Sequence, residues 1–166
     1  MKGGGFPTGV ERAGDVGTRD DGFEALYTRE YEPMVRVAYL LLDSADAAQE
    51  ATHDGFAKVY ERWDRIDDHG AYLRTCVVNR CRDLQRRRRL ERGRTPDRTA
   101  TYTELGAREL LDALARLPLK QRAAVVLRYY EGLSEADIAL ALDMPVGTVK
   151  STVSRALTQL REAVER

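Results

Sequence analysis

The chain of 166 residues has little with which to do covalent chemistry. Its two cysteines, Cys76 and Cys81, lie five residues apart, ~140° of rotation on a helix, so they point away from each other and neither pair nor grip one metal. They read as buried or half-buried thiols of a reduced compartment. His53 and His69 add no ligand pattern of recognised spacing. There is no Gly-rich phosphate loop and no nucleophile paired with a histidine, so no catalytic residue, metal site or cofactor is expected. Long apolar runs are missing too: none approaches the ~20 residues needed to cross a bilayer, and the opening MKGGGFPTGV lacks the apolar core of a secretion signal. The expected location is the cytoplasm. Net charge is absent as well, with 27 Lys+Arg against 27 Asp+Glu. A chain without net charge has no general attraction for nucleic acid, and any such binding comes from charge segregated along the sequence.

What is present is most pronounced near the C-terminal end, in LSEADIALALDMPVGTVKSTVSRALTQLR, residues 133–161. Ser134 opens a short helix as an N-cap, with Asp137 three residues on where a capping box carries an acid. Ile138, Ala139 and Leu142 line one side of it, and small Ala139 permits the close approach of a crossing helix. Asp143, Met144 and Pro145 break the pattern: Asp tolerates a left-handed corner, and Pro suits the start of the next helix. In that second helix Val149, Val153, Ala156, Leu157, Leu160 and Val164 form one apolar stripe. Thr148, Ser151, Ser154, Arg155 and Thr158 fall opposite, with Lys150 at the margin. A short capped helix, a tight corner and a basic, hydroxyl-rich second helix fit a helix-turn-helix whose second element enters the major groove, where Lys and Arg reach guanine edges or phosphate and Ser and Thr bond either.

From the N-terminus, residues 1–21 are Gly-rich with almost no apolar periodicity and are expected to be a disordered tail. Phe23, Leu26 and Tyr27 begin a helical face that Pro33 interrupts or restarts and that Met34, Val35, Ala38, Leu41 and Leu42 continue, as two short helices or one kinked helix. Asp43 and Ser44 cap a further helix carrying Ala48, Ala51, Phe56, Val59, Tyr60 and Trp63. From Asp43 to Gly70 there are eight acids (43, 46, 50, 54, 61, 64, 67, 68) against three bases (58, 62, 65), net acidic by five. The polar loop Asp64 to Gly70, DRIDDHG, precedes a long helix from Ala71 to about Arg89 with Leu73, Cys76, Val77 and Leu84 inward. Its end is basic: residues 80–98 hold nine Arg (80, 82, 86, 87, 88, 89, 92, 94, 98) against three acids (83, 91, 97), a net of plus six. A run such as Arg86 to Arg89 neutralises phosphates and releases counterions, giving affinity without sequence preference. Residues 93–106 read as a linker. Leu110, Leu111, Leu114 and Leu117 then form a helix that stops near Pro118, and Ala123, Val126, Leu127 and Tyr130 form another that ends at Gly132. The expected fold is all-α: two small helical domains, residues 22–92 and 107–166, joined by a short flexible linker.

These residues carry a family resemblance. LPLKQRAAVVLRYYEGLSEADIALALDMPVGTVKSTVSRALTQLR resembles region 4 of the extracytoplasmic-function (ECF) group of bacterial sigma-70 factors, in which a GTVKS segment begins the recognition helix. AAQEATHDGFAKVYERW resembles their region 2.1 to 2.2 helix, and AYLRTCVVNRCRDLQRRRR resembles regions 2.3 to 2.4, including the spacing of Asn79 and Asp83. The likeness runs from about Phe23 to Arg161 in the family's order.

The resemblance implies a non-enzymatic subunit that gives core RNA polymerase its choice of promoter and helps open the DNA. By position, Glu50, His53, Asp54, Phe56 and Lys58 would meet the clamp helices of the polymerase's largest subunit, with the flap region as a second contact. The loop with the helix after it, through Asp64, Arg65, Asp67, Asp68, His69, Asn79, Arg80, Arg86 and Arg87, would take an unstacked base and the backbone of the minus 10 element. Thr148, Lys150, Ser151, Ser154 and Arg155 would serve the minus 35 element. An anti-sigma factor is the implied regulator. The chain departs from the family where His53 and Asp54 replace a common Gln-Glu pair, where Tyr72 replaces a Trp, where Asp143 replaces a Gly, and where Thr152 replaces a third cation. Two other readings compete: an autonomous helix-turn-helix regulator binding an operator as a dimer, and a sigma-like adaptor that only sequesters polymerase or another protein.

Overall fold

The computed structural model describes residues 13–91 and 105–165, all in helices and short connections. Helix α1 spans Ala13–Leu42, α2 Ala45–Glu61 and α3 His69–Leu90, with a single 3-10 turn at Trp63–Arg65 before α3. Helices α4 (Leu105–Arg116), α5 (Leu119–Tyr129), α6 (Glu135–Leu142) and α7 (Val146–Val164) follow. Residues 13–21 are not a tail: they are the first turns of α1, anchored by contacts with the α2 to α3 connection that no local sequence pattern announces. The rest of the expected tail and residues 93–104 of the expected linker lie outside the described residues; Leu105 and Gly106 already belong to α4.

Pro33 sits inside one continuous α1 and does not divide it. The helix ends where Asp43 adopts φ 49° and its N–H bonds the Tyr39 carbonyl at 2.8 Å. Ser44 then caps α2, accepting from the Ala47 N–H at 3.4 Å. Gly55 lets α2 lie directly on α3, since a Cβ there would stand 2.6 Å from Val77 Cγ2. Leu73, Cys76, Val77 and Leu84 are buried as expected, and Val78 and Cys81 join them. Both cysteines are free and buried, and burial pushes the Cys81 thiol up to about 12, so it stays protonated and unreactive.

In the second domain Ser134 Oγ accepts from the Asp137 N–H at 3.1 Å and donates to the Asp137 carboxylate at 2.7 Å. The corner forms with Asp143 at φ 48°, and the Met144 N–H reaches the Ala139 carbonyl at 3.0 Å. Gly132, at φ 68°, closes α5. Ile138, Ala139 and Leu142 of α6 and Val149, Val153, Ala156 and Leu160 of α7 are buried. Val164, in the last turn of the stripe, is exposed.

The two domains pack on one another. One apolar cluster runs from Leu26, Met34 and Leu41 of α1 through Leu73 and Val77 of α3 to Ala123 and Leu127 of α5 and Ile138 of α6. Arginines fasten the join at the C-terminal end of α1, where outward carbonyls favour cations. Arg122, buried in α5, donates to the Leu41 carbonyl and to the Ala115 and Leu117 carbonyls at 2.8 and 3.0 Å. Arg108 lies 3.6 Å from Asp43. Within the first domain, Arg88 of α3 donates to the Leu42 carbonyl at 3.3 Å.

Candidate nucleic-acid interface

Helix α7 sorts its residues as its wheel requires. With Val149, Val153 and Ala156 packed inward, Lys150, Ser151, Ser154 and Arg155 stand exposed on one outer face and Thr148 is half-buried beside them. The hydroxyls take backbone partners of their own helix: Ser151 donates to the Thr148 carbonyl at 3.0 Å and Thr158 to the Ser154 carbonyl at 3.1 Å. Arg155 Nε reaches the Ser151 carbonyl at 3.2 Å, which aligns the guanidinium along the helix surface. Thr152 is buried and donates to the Thr148 carbonyl at 2.8 Å. The departure seen in the sequence thus puts a buried hydroxyl where the family often has a third cation.

The second site lies between α2 and α3. Asp68 is the N-cap of α3 and accepts from the Ala71 N–H at 2.9 Å, so His69 and Gly70 are the first turn of α3 and not part of the loop. His69 stacks on Trp63 with ring centroids 3.7 Å apart and its Nε2 lies 3.0 Å from the Trp63 carbonyl. Arg65 and Asp67 point to solvent. Where this loop faces α6 there is an open cleft of about 620 Å³, lined by Arg62, Arg65, Ile66, Asp68, Tyr72, Arg74, Asp137 and Leu140 among others. Arg62, Ile66 and Arg74 were not among the expected site residues. Ile66 lies within the expected loop, and the only advance signal for Arg62 and Arg74 was proximity to it in sequence.

Four expected contact residues, Arg80, Glu50, Asp54 and Phe56, are engaged by the protein itself. Arg80 binds Glu50 at 2.7 Å and Asp54 at 2.5 Å, tying α3 to α2, so it is not a cation held out to DNA and the two acids are partly neutralised. Phe56 is buried among Phe23, Tyr27 and Tyr31, so it supports the surface of α2 and does not form it. His53, against the Tyr31 ring, and Lys58 remain exposed on that surface, as do Asn79, Arg86 and Arg87 on α3.

The family model for sigma-70 region 2 matches residues 26–91, and that for sigma-70 region 4 matches residues 107–160. The chain is 37% identical over 149 residues to the RNA polymerase sigma-E factor of Streptomyces coelicolor, covering 84% of each sequence. It is 33% identical to the ECF RNA polymerase sigma factor SigM of Mycobacterium tuberculosis, over 83% of this chain and 74% of that one. The chain belongs to the ECF group of the sigma-70 family. In fold this sigma factor resembles the sigma factor RpoE solved with the anti-sigma factor NepR from Bartonella quintana, with a TM-score of 0.74, 24% identity and coverage of 87% and 98% of the two chains. It also resembles CnrH solved with the cytosolic domain of CnrY, with a TM-score of 0.71 and 22% identity over 88% of this chain and 89% of that one. It is thus an initiation factor that directs RNA polymerase to promoters, and the reading as an autonomous operator-binding regulator falls away because the region 2 match has no place in it. Among the described residues no helix is long and apolar enough to cross a membrane.

Proposed function

We propose that the tasks of initiation divide residue by residue across the two domains. His53 and Lys58 on the outer face of α2, within the field of Glu50 and Asp54, meet the clamp helices of the polymerase, and region 4 meets the flap. The loop ahead of α3 takes an unstacked minus 10 base, with Arg65 and Asp67 exposed at its tip and Asn79, Arg86 and Arg87 along the strand that leaves it. Lys150, Ser151, Ser154 and Arg155 enter the major groove of the minus 35 element, and Thr148 holds phosphate. Nucleotide chemistry belongs to the polymerase, and the sigma factor works in the cytoplasm without a cofactor. An anti-sigma factor as regulator is supported by the likeness in fold to a sigma factor captured with one.

The observation that carries this reading is the outer face of α7, where the polar residues expected at the minus 35 element share one exposed surface while the apolar stripe is buried. The packed form must also open. Elements at minus 35 and minus 10 are separated by about 85 Å of duplex at 3.4 Å per base pair, whereas α6 of the reader domain rests on α3. Polymerase therefore binds a form in which the domains have parted. The test is to combine the chain with core polymerase and fragmented genomic DNA and sequence transcript starts. Shared upstream and minus 10 motifs are expected, and Arg155→Ala should weaken use of the upstream motif by about 1–3 kcal/mol. Equal losses on every promoter would turn Arg155 into a phosphate contact, and starts without a common upstream motif would refute the assignment of α7.

A further inference from the structure

The match to region 2 begins at residue 26, yet α1 starts at Ala13, and the turns ahead of the match are not idle. One nitrogen of the Arg19 guanidinium donates to the Tyr60 carbonyl near the end of α2, and another lies 3.5 Å from Asp64 Oδ2. The same group sits over the Tyr60 ring, 4.5 Å from its centroid, while Tyr60 OH donates to Asp20 at 3.2 Å. One turn on, Gly22 lies against Trp63 so closely that a Cβ would stand 2.9 Å from the ring. Phe23 meets the same ring edge-on at 5.9 Å. His69 stacks on the same Trp63 ring at 3.7 Å. Trp63 and His69 are the two ends of the connection between α2 and α3, so the N-terminal turns of α1 hold one end and, through Trp63, the other.

We propose that residues 17–23 form a brace that sets the position of the minus 10 loop, with Arg19 and Gly22 as positioning residues for base recognition. The inference rests on the assignment of that loop to the minus 10 element. Between exposed Arg65 and Asp67 only Ile66 of this short polar connection packs against the core, and recognition by a pocket depends on groups held in place before the base arrives. Arg19 suits this use because its planar fork serves a carbonyl and a carboxylate together while it stacks on an aromatic ring. Gly22 suits it because only a residue without Cβ lets the helix backbone meet Trp63 at this distance.

The experiment compares Arg19→Ala, Arg19→Lys, Gly22→Ala and the parent, each assembled with core polymerase, on a promoter found by start-site sequencing and on copies with one minus 10 or one minus 35 base replaced. Alanine is the better helix former, so Gly22→Ala separates loss of the brace from loss of helix. Arg19→Ala and Gly22→Ala should reduce minus 10 discrimination about five- to tenfold, the low end of what one mismatched pair costs. Core affinity and the minus 35 ratio should stay within about twofold, and Arg19→Lys, which keeps the cation, should be intermediate. The chain has one tryptophan, so the emission of Trp63 in the free protein reports the brace directly and should shift to the red in both disruptive variants. Unshifted emission, or shifted emission with unchanged minus 10 discrimination, overturns the proposal. Asp67→Ala is the control on the underlying assignment: if it too leaves minus 10 discrimination intact, the loop is not the reader and the brace has nothing to position.

Discussion

Helices α3 and α7 are of similar length, 22 and 19 residues, and both carry cations, but they use polar side chains in opposite ways. In α3, Arg80 is consumed by Glu50 and Asp54, and Arg88 is turned back onto the Leu42 carbonyl. In α7, Lys150 and Arg155 form no ion pair among the described residues, and the hydroxyls bond only carbonyls of their own helix. A cation in a helix is therefore not yet a cation offered to phosphate. In α3 part of the positive charge holds the protein together, whereas in α7 the apolar stripe does that work and the polar face is left exposed.

The strongest way to break the comparison is at its extreme case, Arg122, where burial pushes the guanidinium pKa below its ordinary value and three carbonyls from two domains are its partners. Arg122→Ala leaves the Leu41 and Leu117 carbonyls buried without this donor, at about 1–3 kcal/mol each if neither relaxes, while the carbonyl of exposed Ala115 can turn to water. Allowing for relaxation, a loss of about 3 kcal/mol is expected, or roughly 6–12 °C in melting temperature for a chain of this size. Scattering should show the domains separating. Arg155→Ala should move the melting temperature hardly at all, within about 0.5 kcal/mol. Equal melting of both variants would erase the distinction between cations that bind the protein and cations that face outward.

Arg80→Ala tests the same contrast inside region 2. Its partners are half-exposed, so screening limits the loss to about 1–2 kcal/mol despite two short contacts. The salt dependence of promoter binding by the holoenzyme should keep its slope, whereas Arg86→Ala should lower it by about one unit if that side chain touches a phosphate. A slope that falls with Arg80→Ala would show the ion pairs opening on DNA.

Sequence patterning carried the local architecture because helix spacing, caps and corners are short-range. The Ser134 cap, the left-handed Asp143 and the inward Val149 and Val153 all follow from residues within a turn or two. Partners distant in the chain were not legible. Arg80 meets acids 30 and 26 positions away, Arg122 reaches a carbonyl 81 positions away, and Arg19 reaches across 45 to Asp64. Charge counting could place these arginines but not pair them. Burial of Phe56 was written in its helical repeat with Ala48 and Val59, yet the family's contact pattern set it among surface residues.

The smallest effect concerns an acid at the junction of the two regions. Glu131, just after α5, has its carboxyl pKa raised, first by burial, with Arg74 of α3 lowering it and Glu30 of α1 raising it. A raised pKa means that the folded state holds the proton more tightly than the unfolded chain. The associated stability is fully present below the unfolded carboxylate range and is lost as pH rises through the folded value. At neutral pH the ionised group thus opposes the packed form slightly. Glu131→Gln should stabilise the chain at pH 7 by no more than about 0.5 kcal/mol once solvent screening is allowed for. The gap to the parent should close as pH falls through the carboxylate range toward 4, where Glu131 is protonated and resembles Gln. A gap in melting temperature that stays constant from pH 4 to 8 would show that the carboxylate does not feel the junction. A gap that narrows with acid would place a charge cost where the domains meet, on the side of the comparison where charge serves the fold.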